Sequence, residues 1–305
     1  AEFLACLEKA AAWEPGMPRK EQPLHDAMRL FDERFQDTKD TIVVIDEIQD
    51  SAKVYSLIRQ FAREFSCDFI ITGSYLGKTL SREYFQPVGD LDIMILDTLT
   101  FEEFLDAEGK RDLYNSVDLY GKSSHEAYDE LKRYYDLYCQ IGGYPAVVKT
   151  YLETRDMEIC QAELDRVIHI FTEESQGYFD NVLDINLFGQ LLPAVAQTMI
   201  REKKGSVDLI TELSKIVYKQ ESSRLSKKSI NQAIAWLYRS HILDFCGKAN
   251  DCNPTDISAN SRFYFLDVGV CRSFLDMAGA DLPTLRGIVN ENFVYIDLLK
   301  RVRSR

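Results

Sequence analysis

The chain has 305 residues, of which 46% are hydrophobic and 28% charged, and its formal net charge is −13. That is enough apolar material for a sizeable core, in two or three folding units rather than one. The acidic balance argues against indiscriminate nucleic-acid binding, and no run of about 18 apolar residues is present to span a membrane.

No signal peptide is visible, and the start at Ala1 rather than Met points to a natural start upstream. The cysteines are Cys6, Cys67, Cys139, Cys160, Cys246, Cys252 and Cys271. Their odd number and the lack of any Cys-x-x-Cys pair argue against a disulfide framework or a zinc site, and for reduced thiols in a cytoplasm. The four histidines show no metal-ligand spacing. Charge is uneven along the chain: residues 201–248 carry +5, residues 286–305 carry +3, and the remainder carries −21. A mildly basic module sits inside an acidic protein.

In chain order, the first forty residues read as polar and helical, with a loop at Glu14-Pro15-Gly16-Met17-Pro18 and a short amphipathic helix from Leu24 to Phe35. Thr41 to Ile45 is a continuous apolar run rich in β-branched residues, which reads as a parallel-sheet strand buried on both faces. A helix from Ala52 to Phe65 and a second buried strand, Asp68 to Thr72, complete a βαβ unit with a right-handed crossover. Leu91 to Leu96 offers a third strand. From Phe101 the pattern turns helical, with stretches at Glu126–Cys139, Arg155–Glu174 and 187–203. A turn at Gly142-Gly143-Tyr144-Pro145 separates the first two of these.

The strongest chemical signal is Ile42-Val43-Val44-Ile45-Asp46-Glu47, two adjacent carboxylates at the C-terminal end of a parallel strand. Ligands of open α/β sheets bind at such strand ends. An aspartate there can hold Mg²⁺ beside nucleotide phosphates, often through water. A glutamate one residue later can orient or deprotonate an attacking water. This is the Walker B arrangement; the plain alternative is a strand end opening into a solvated loop. The second strand ends in Thr72-Gly73-Ser74, so Thr72 and Ser74 are candidates for a polar contact with the terminal phosphate or the water; an ordinary strand-to-turn transition is the alternative.

Gly73-Ser74-Tyr75-Leu76-Gly77-Lys78-Thr79 resembles a P-loop but has three residues between its glycines where four are required, and it follows the Asp-Glu strand instead of preceding it. It reads as a turn, with Lys78 the residue that would contradict this by touching phosphate.

Thr41–Gln49 (TIVVIDEIQ), Phe69–Lys78 (FIITGSYLGK), Pro87-Val88-Gly89, Leu99–Leu105 (LTFEEFL), Ile141–Val148 (IGGYPAVV), Phe263–Val268 (FYFLDV) and Gly287–Phe293 (GIVNENF) occur in this order. Together they resemble prokaryotic AAA+-superfamily P-loop ATPases, mostly uncharacterised ATP-binding proteins, over roughly residues 40–300. The resemblance implies an α/β fold: an incomplete parallel-sheet ATPase core (1–105), a helical region (106–205), a winged-helix-like segment (206–270) and the start of a PD-(D/E)XK nuclease-like domain (271–305). It implies ATP and Mg²⁺ as cofactors, with Asp46 at the metal, Glu47 at the water and Thr72 or Ser74 as the γ-phosphate sensor. It leaves homo-oligomerisation open. Two departures stand out. No Gly-x-x-x-x-Gly-Lys-[Ser/Thr] motif precedes the Asp-Glu strand, and Asp90 stands where relatives often carry a basic residue, which leaves Arg82 as a substitute arginine finger.

The winged-helix reading has support of its own. Val207–Leu213 has helical apolar spacing, and Ser226 is placed to cap a helix from Lys227 to Arg239. Ile242–Cys246 and Arg262–Leu266 alternate like wing strands. Arg224, Lys227 and Lys228 cluster where a recognition helix would begin and are the candidates for nucleic-acid phosphate contact. The alternative to an ATPase is a nucleotide-independent winged-helix module that binds DNA or a protein partner. Gly287–Leu299 reads as a helix with Phe293 and Ile296 buried and Glu291 as a surface carboxylate at the position of a nuclease ligand.

Overall fold

The computed structural model describes residues 2–12, 23–74, 92–179, 187–201, 213–217, 227–246 and 262–303. The chain divides into two compact units, Ala1–Met94 and Ile95–Arg305.

In the first unit, α1 (Glu2–Ala11) packs on α2 (Pro23–Phe31), followed by β1 (Ile42–Ile45), a single 3-10 turn at Ile48–Asp50, α3 (Ala52–Glu64) and β2 (Asp68–Ile71). Ser51 starts α3 by accepting from Val54 N at 3.2 Å. The strands pair in parallel with Ile42 opposite Asp68 and Ile45 opposite Ile71. The core is Leu7, Ala10, Leu24, Ala27, Ile48, Val54, Ile58 and Phe61, with Ile45, Phe69 and Ile71 packed against it. Phe61 stacks on Phe69 at 4.9 Å. Asp37 ties the start of β2 down: its carboxylate accepts from Ser66 N (2.7 Å) and Cys67 N (2.9 Å) and meets His25 Nε2 at 2.9 Å.

The sheet departs from the expectation of strands buried on both faces. Ile42, Val44 and Ile70 are 60%, 63% and 51% exposed, because the helices cover one face only among the described residues. The third apolar stretch departs too. Residues 92–97 form no strand, and Ile93, Met94 and Leu96 are exposed. Apolar character did not supply the hydrogen-bond partner a strand needs.

The second unit is helical: α4 (Phe101–Ala107), α5 (Arg111–Asn115), α6 (His125–Ile141), α7 (Pro145–Thr154), α8 (Met157–Phe179) and α9 (Leu187–Arg201). Residues 213–217 form a helical turn. Then come α10 (Lys227–Arg239), an antiparallel hairpin of β3 (Leu243–Cys246) and β4 (Arg262–Phe265), α11 (Val268–Met277) and α12 (Leu282–Arg303). The helix expected from Gly287 starts five residues earlier, where Asp281 Oδ1 accepts from Thr284 N at 2.8 Å. Ile296 is buried as expected, whereas Phe293 is half-buried in an aromatic cluster with Phe101, Tyr135 and Tyr138. A capping box opens α4, with Thr100 Oγ1 accepting from Glu103 N (3.1 Å) and Glu103 Oε2 accepting from Thr100 N (2.7 Å).

The motifs of this unit converge on one another. Gly142 ends α6 at φ 74°, and the Gly143 carbonyl accepts from Leu99 N at 2.8 Å. Asp267 caps α11 through Oδ1, which accepts from Gly269 N (2.9 Å) and Val270 N (3.0 Å), while Oδ2 accepts from Gly143 N at 2.7 Å. Buried Asn292 brackets the backbone of Phe265, accepting from its N–H at 3.0 Å and donating to its carbonyl at 2.9 Å. Lys300 donates to the Thr98 hydroxyl at 3.1 Å and to the Thr98 carbonyl. A Cβ on Gly143 would lie 2.2 Å from the Leu99 carbonyl oxygen, so the glycine pair is there for close approach.

Candidate functional site

The site lies where the two parallel strands end. Thr72 N donates to the Ile45 carbonyl at 2.9 Å and Ile48 N to the Thr72 carbonyl at 3.0 Å, so the chain leaving β1 and the chain leaving β2 stay joined past the sheet. Between these two bonds sit Asp46 and Glu47. Glu47 takes the left-handed conformation (φ 51°, ψ 50°), uncommon for a residue with a side chain. Such a conformation costs on the order of 1 kcal/mol and persists only where its surroundings fix it. Here the Ile48–Thr72 bond on one side and the Asp50 N to Glu47 carbonyl bond (2.9 Å) on the other do so.

The four expected residues come together in two pairs. The Thr72 hydroxyl donates to Asp46 Oδ1, which also accepts from Glu47 N at 3.0 Å. The Ser74 hydroxyl donates to Glu47 Oε2 at 3.1 Å, and the same oxygen accepts from Gln49 Nε2. Asp46, Glu47, Thr72 and Ser74 are exposed, and Gln49 is buried beneath them. The left-handed kink separates the carboxylates, so each takes a different hydroxyl from the β2 end. Gln49 had no role in the sequence reading beyond closing a motif. No local sequence signal marks it, because its contact with Glu47 depends on the left-handed turn.

Two exposed carboxylates and two hydroxyls form an all-oxygen donor set, the kind a hard cation such as Mg²⁺ takes, with water completing the shell. Among the described residues no group of three or more His, Cys, Asp or Glu side chains stands close enough to form a metal site from protein ligands alone. The sheet end therefore suits a cation shared with phosphate oxygens better than a closed structural site.

The remaining expected residues are scattered. Lys78, Arg82, Asp90 and Arg224 lie outside the described residues, as do the cap Ser226 and residues 207–212. Lys227 opens α10, and Lys228 is exposed in its first turn. Glu291 is exposed on α12, paired with Arg262 and accepting from the Tyr264 hydroxyl at 3.1 Å. Asp267 is a buried carboxyl of the second unit that accepts three backbone N–H groups. Burial pushes its pKa above the ordinary carboxylate value, against the lowering effect of its three backbone donors. Burial also lowers the pKa of the Lys300 ammonium. The thiols of Cys67 and Cys139 are raised, chiefly by burial, to about 11 and about 12, so neither is a nucleophile at neutral pH. No helix among the described residues is long and apolar enough to cross a membrane.

Comparison with known families divides the chain in a similar way. A model described as a domain of unknown function (DUF8612) matches residues 132–281. No curated protein matches the chain. A model described as an AAA domain matches residues 15–105, the stretch that holds both strands, Asp46, Glu47, Thr72 and Ser74, and this part of the chain is therefore an AAA-like domain of the P-loop ATPase type.

Proposed function

We propose that the AAA-like domain binds ATP with Mg²⁺ at the C-terminal ends of β1 and β2 and hydrolyses it. The observation that carries this is the pairing of Asp46 with Thr72 and of Glu47 with Ser74 inside the stretch similar to AAA domains. Asp46 is the residue that would hold Mg²⁺. Glu47 orients the attacking water and takes its proton; it is held by Gln49 and Ser74 so that the carboxylate does not wander. Thr72 and Ser74, each already bonded to a carboxylate, are the groups that exchange that bond for one to the terminal phosphate or the water. When bound, Mg²⁺ neutralises phosphate charge that the two carboxylates would otherwise repel.

In the same reading α10 with the β3–β4 hairpin is a winged-helix segment, and residues 271–305 open a nuclease-like domain. An arginine finger at Arg82, assembly into a homo-oligomer and a cytoplasmic location belong to this reading as well. The reading requires a phosphate cradle that no Gly-x-x-x-x-Gly-Lys-[Ser/Thr] stretch of these residues spells. A gene product without one refutes it.

The direct test is Glu47→Gln in the gene product. Turnover falls on the order of 100-fold or more while nucleotide affinity is retained, because the substitution removes a proton acceptor and leaves Asp46 at the metal. Unchanged turnover would take Glu47 out of the mechanism.

A further inference from the structure

Each carboxylate at the ends of β1 and β2 has one oxygen held by the protein and one left open. Asp46 Oδ1 accepts from the Thr72 hydroxyl and from Glu47 N at 3.0 Å. Glu47 Oε2 accepts from the Ser74 hydroxyl at 3.1 Å and from Gln49 Nε2. Among the described residues no hydrogen bond reaches Asp46 Oδ2 or Glu47 Oε1. The terminal torsion of a glutamate is otherwise broad, so a donor on one oxygen is what gives the other a set direction.

The two donors to Glu47 differ in kind. Ser74 is exposed, so water competes for its hydroxyl, and in the mechanism above it leaves Glu47 for the terminal phosphate or the attacking water. Gln49 is 2% exposed, so solvent does not compete for its amide. Its backbone is clamped as well. Ile48 lies in the core of the first unit, Ile48 N donates to the Thr72 carbonyl at 3.0 Å, and Ser51 N donates to the Ile48 carbonyl at 3.3 Å. The left-handed turn at Glu47 folds the carboxylate back over the amide. Among the described residues of the first unit, His25 and Gln49 are the buried polar side chains. His25 meets Asp37, whose carboxylate ties down the start of β2 through two backbone N–H groups. Gln49 gives Nε2 to an exposed carboxylate that accepts from no backbone N–H group, so this bond ties down no segment of the fold.

We propose that Gln49 is the positioning residue of this site: its amide keeps hold of Glu47 Oε2 after Ser74 has changed partners, so that Oε1 stays aimed at the attacking water. The role rests on the ATPase reading above, and it adds which oxygen of Glu47 takes the proton and what keeps that oxygen aimed. Gln49 touches neither nucleotide nor water and acts through Glu47. A misplacement of about 1 Å costs about 100-fold in rate, so losing this anchor is worth about 10- to 100-fold.

The experiment is Gln49→Met in the gene product, alone and combined with Glu47→Gln. Methionine keeps the unbranched shape of glutamine and removes the donor. Turnover at saturating ATP is expected to fall about 10- to 100-fold, while KM and the nucleotide affinity measured by calorimetry with Mg²⁺ stay as they are. In the Glu47→Gln background the same substitution costs nothing more, since no carboxylate is left to aim. A second readout needs no nucleotide. In the 305-residue chain, nitrogen-15 NMR of the side-chain amides, with Gln49 assigned by its loss in Gln49→Met, shows slow hydrogen exchange at Gln49 and faster exchange in Glu47→Ala, a substitution at an exposed position. Where Gln49→Met does not fold, the exchange measurement decides. Turnover that drops in Glu47→Gln but not in Gln49→Met overturns this role and leaves the ATPase reading standing, whereas a wild-type gene product without turnover overturns both. A loss of affinity in place of turnover, a further loss in the Glu47→Gln background, or exchange at Gln49 that Glu47→Ala leaves unchanged would each overturn the role as well.

Discussion

Truncating Asp267 to alanine is the sharpest test of how the second unit holds together. The carboxylate is 3% exposed and accepts three backbone N–H groups, from Gly143, Gly269 and Val270. Loss of the helix cap alone costs about 1 kcal/mol. Leaving the buried Gly143 N–H without an acceptor costs about 1–3 kcal/mol more. Removing a carboxyl whose pKa burial has raised returns part of this, so Asp267→Ala is expected to destabilise the unit by about 2–3 kcal/mol. Urea unfolding followed through Trp236, which is buried in the same unit, measures it. The effect has a defined pH dependence. A raised native pKa means that the folded state binds the proton more tightly than the unfolded chain, so ionisation works against folding. The advantage of the native chain over Asp267→Ala is therefore greatest below the ordinary carboxylate pKa of about 3.9. It shrinks as pH rises to the native value and is flat beyond it. A loss under about 0.5 kcal/mol, or an advantage that grows with pH over this window, would refute the assignment of Asp267 as a buried cap.

Gly143→Ala should destabilise more than Gly279→Ala. At Gly143 the new methyl meets the Leu99 carbonyl oxygen at 2.2 Å, which forces backbone movement, whereas Gly279, at φ +76°, has open space and carries only the left-handed penalty of about 1 kcal/mol. Equal losses in chemical denaturation would mean that the Leu99–Gly143 contact is soft. The 305-residue chain itself should show no measurable ATP turnover, since it spells no phosphate cradle and presents Asp46 and Glu47 to a polyanion. Calorimetric titration with Mg²⁺ and ATP checks this, and low-micromolar binding that vanishes in Lys78→Ala would show that the shortened Gly73–Thr79 loop holds phosphate after all.

The elements that were legible in the sequence are those whose signal is local. Ile42–Ile45 and, after Asp68, Phe69–Ile71 are apolar and β-branched or aromatic, and both runs lie in strands. The helix Lys227–Arg239 and the hairpin after it follow from a periodic apolar face and alternation. Asp46, Glu47, Thr72 and Ser74 could be placed together because parallel pairing brings two strand ends side by side. What was not legible depends on partners distant in sequence. Nothing in Ile42 or Val44 tells which strand face is covered, and nothing in Ile93, Met94 and Leu96 tells that they lie exposed. Asp281-Leu282-Pro283 spells a cap and a first-turn proline for α12, but Gly287, five residues into the helix, is the stronger local break and hides that start. Gln49 was missed because its partner, Glu47, reaches it only through a left-handed backbone turn.

The motifs behind the family resemblance separate into two physical kinds. Those at Leu99, Gly142-Gly143, Phe265, Asp267 and Asn292 meet one another through backbone bonds and close approach, and their polar atoms are buried and used up in holding segments together. A carboxyl such as Asp267, 3% exposed and accepting three backbone N–H groups, is closed to a ligand from solvent. Asp46 and Glu47 sit in the opposite situation, exposed at a strand end and restrained by hydroxyls that can change partners. Both kinds of site look alike in sequence, as an acid next to glycine or a short apolar run. Burial is what separates the carboxyl that organises the fold, Asp267, from the two carboxylates left open to solvent, Asp46 and Glu47.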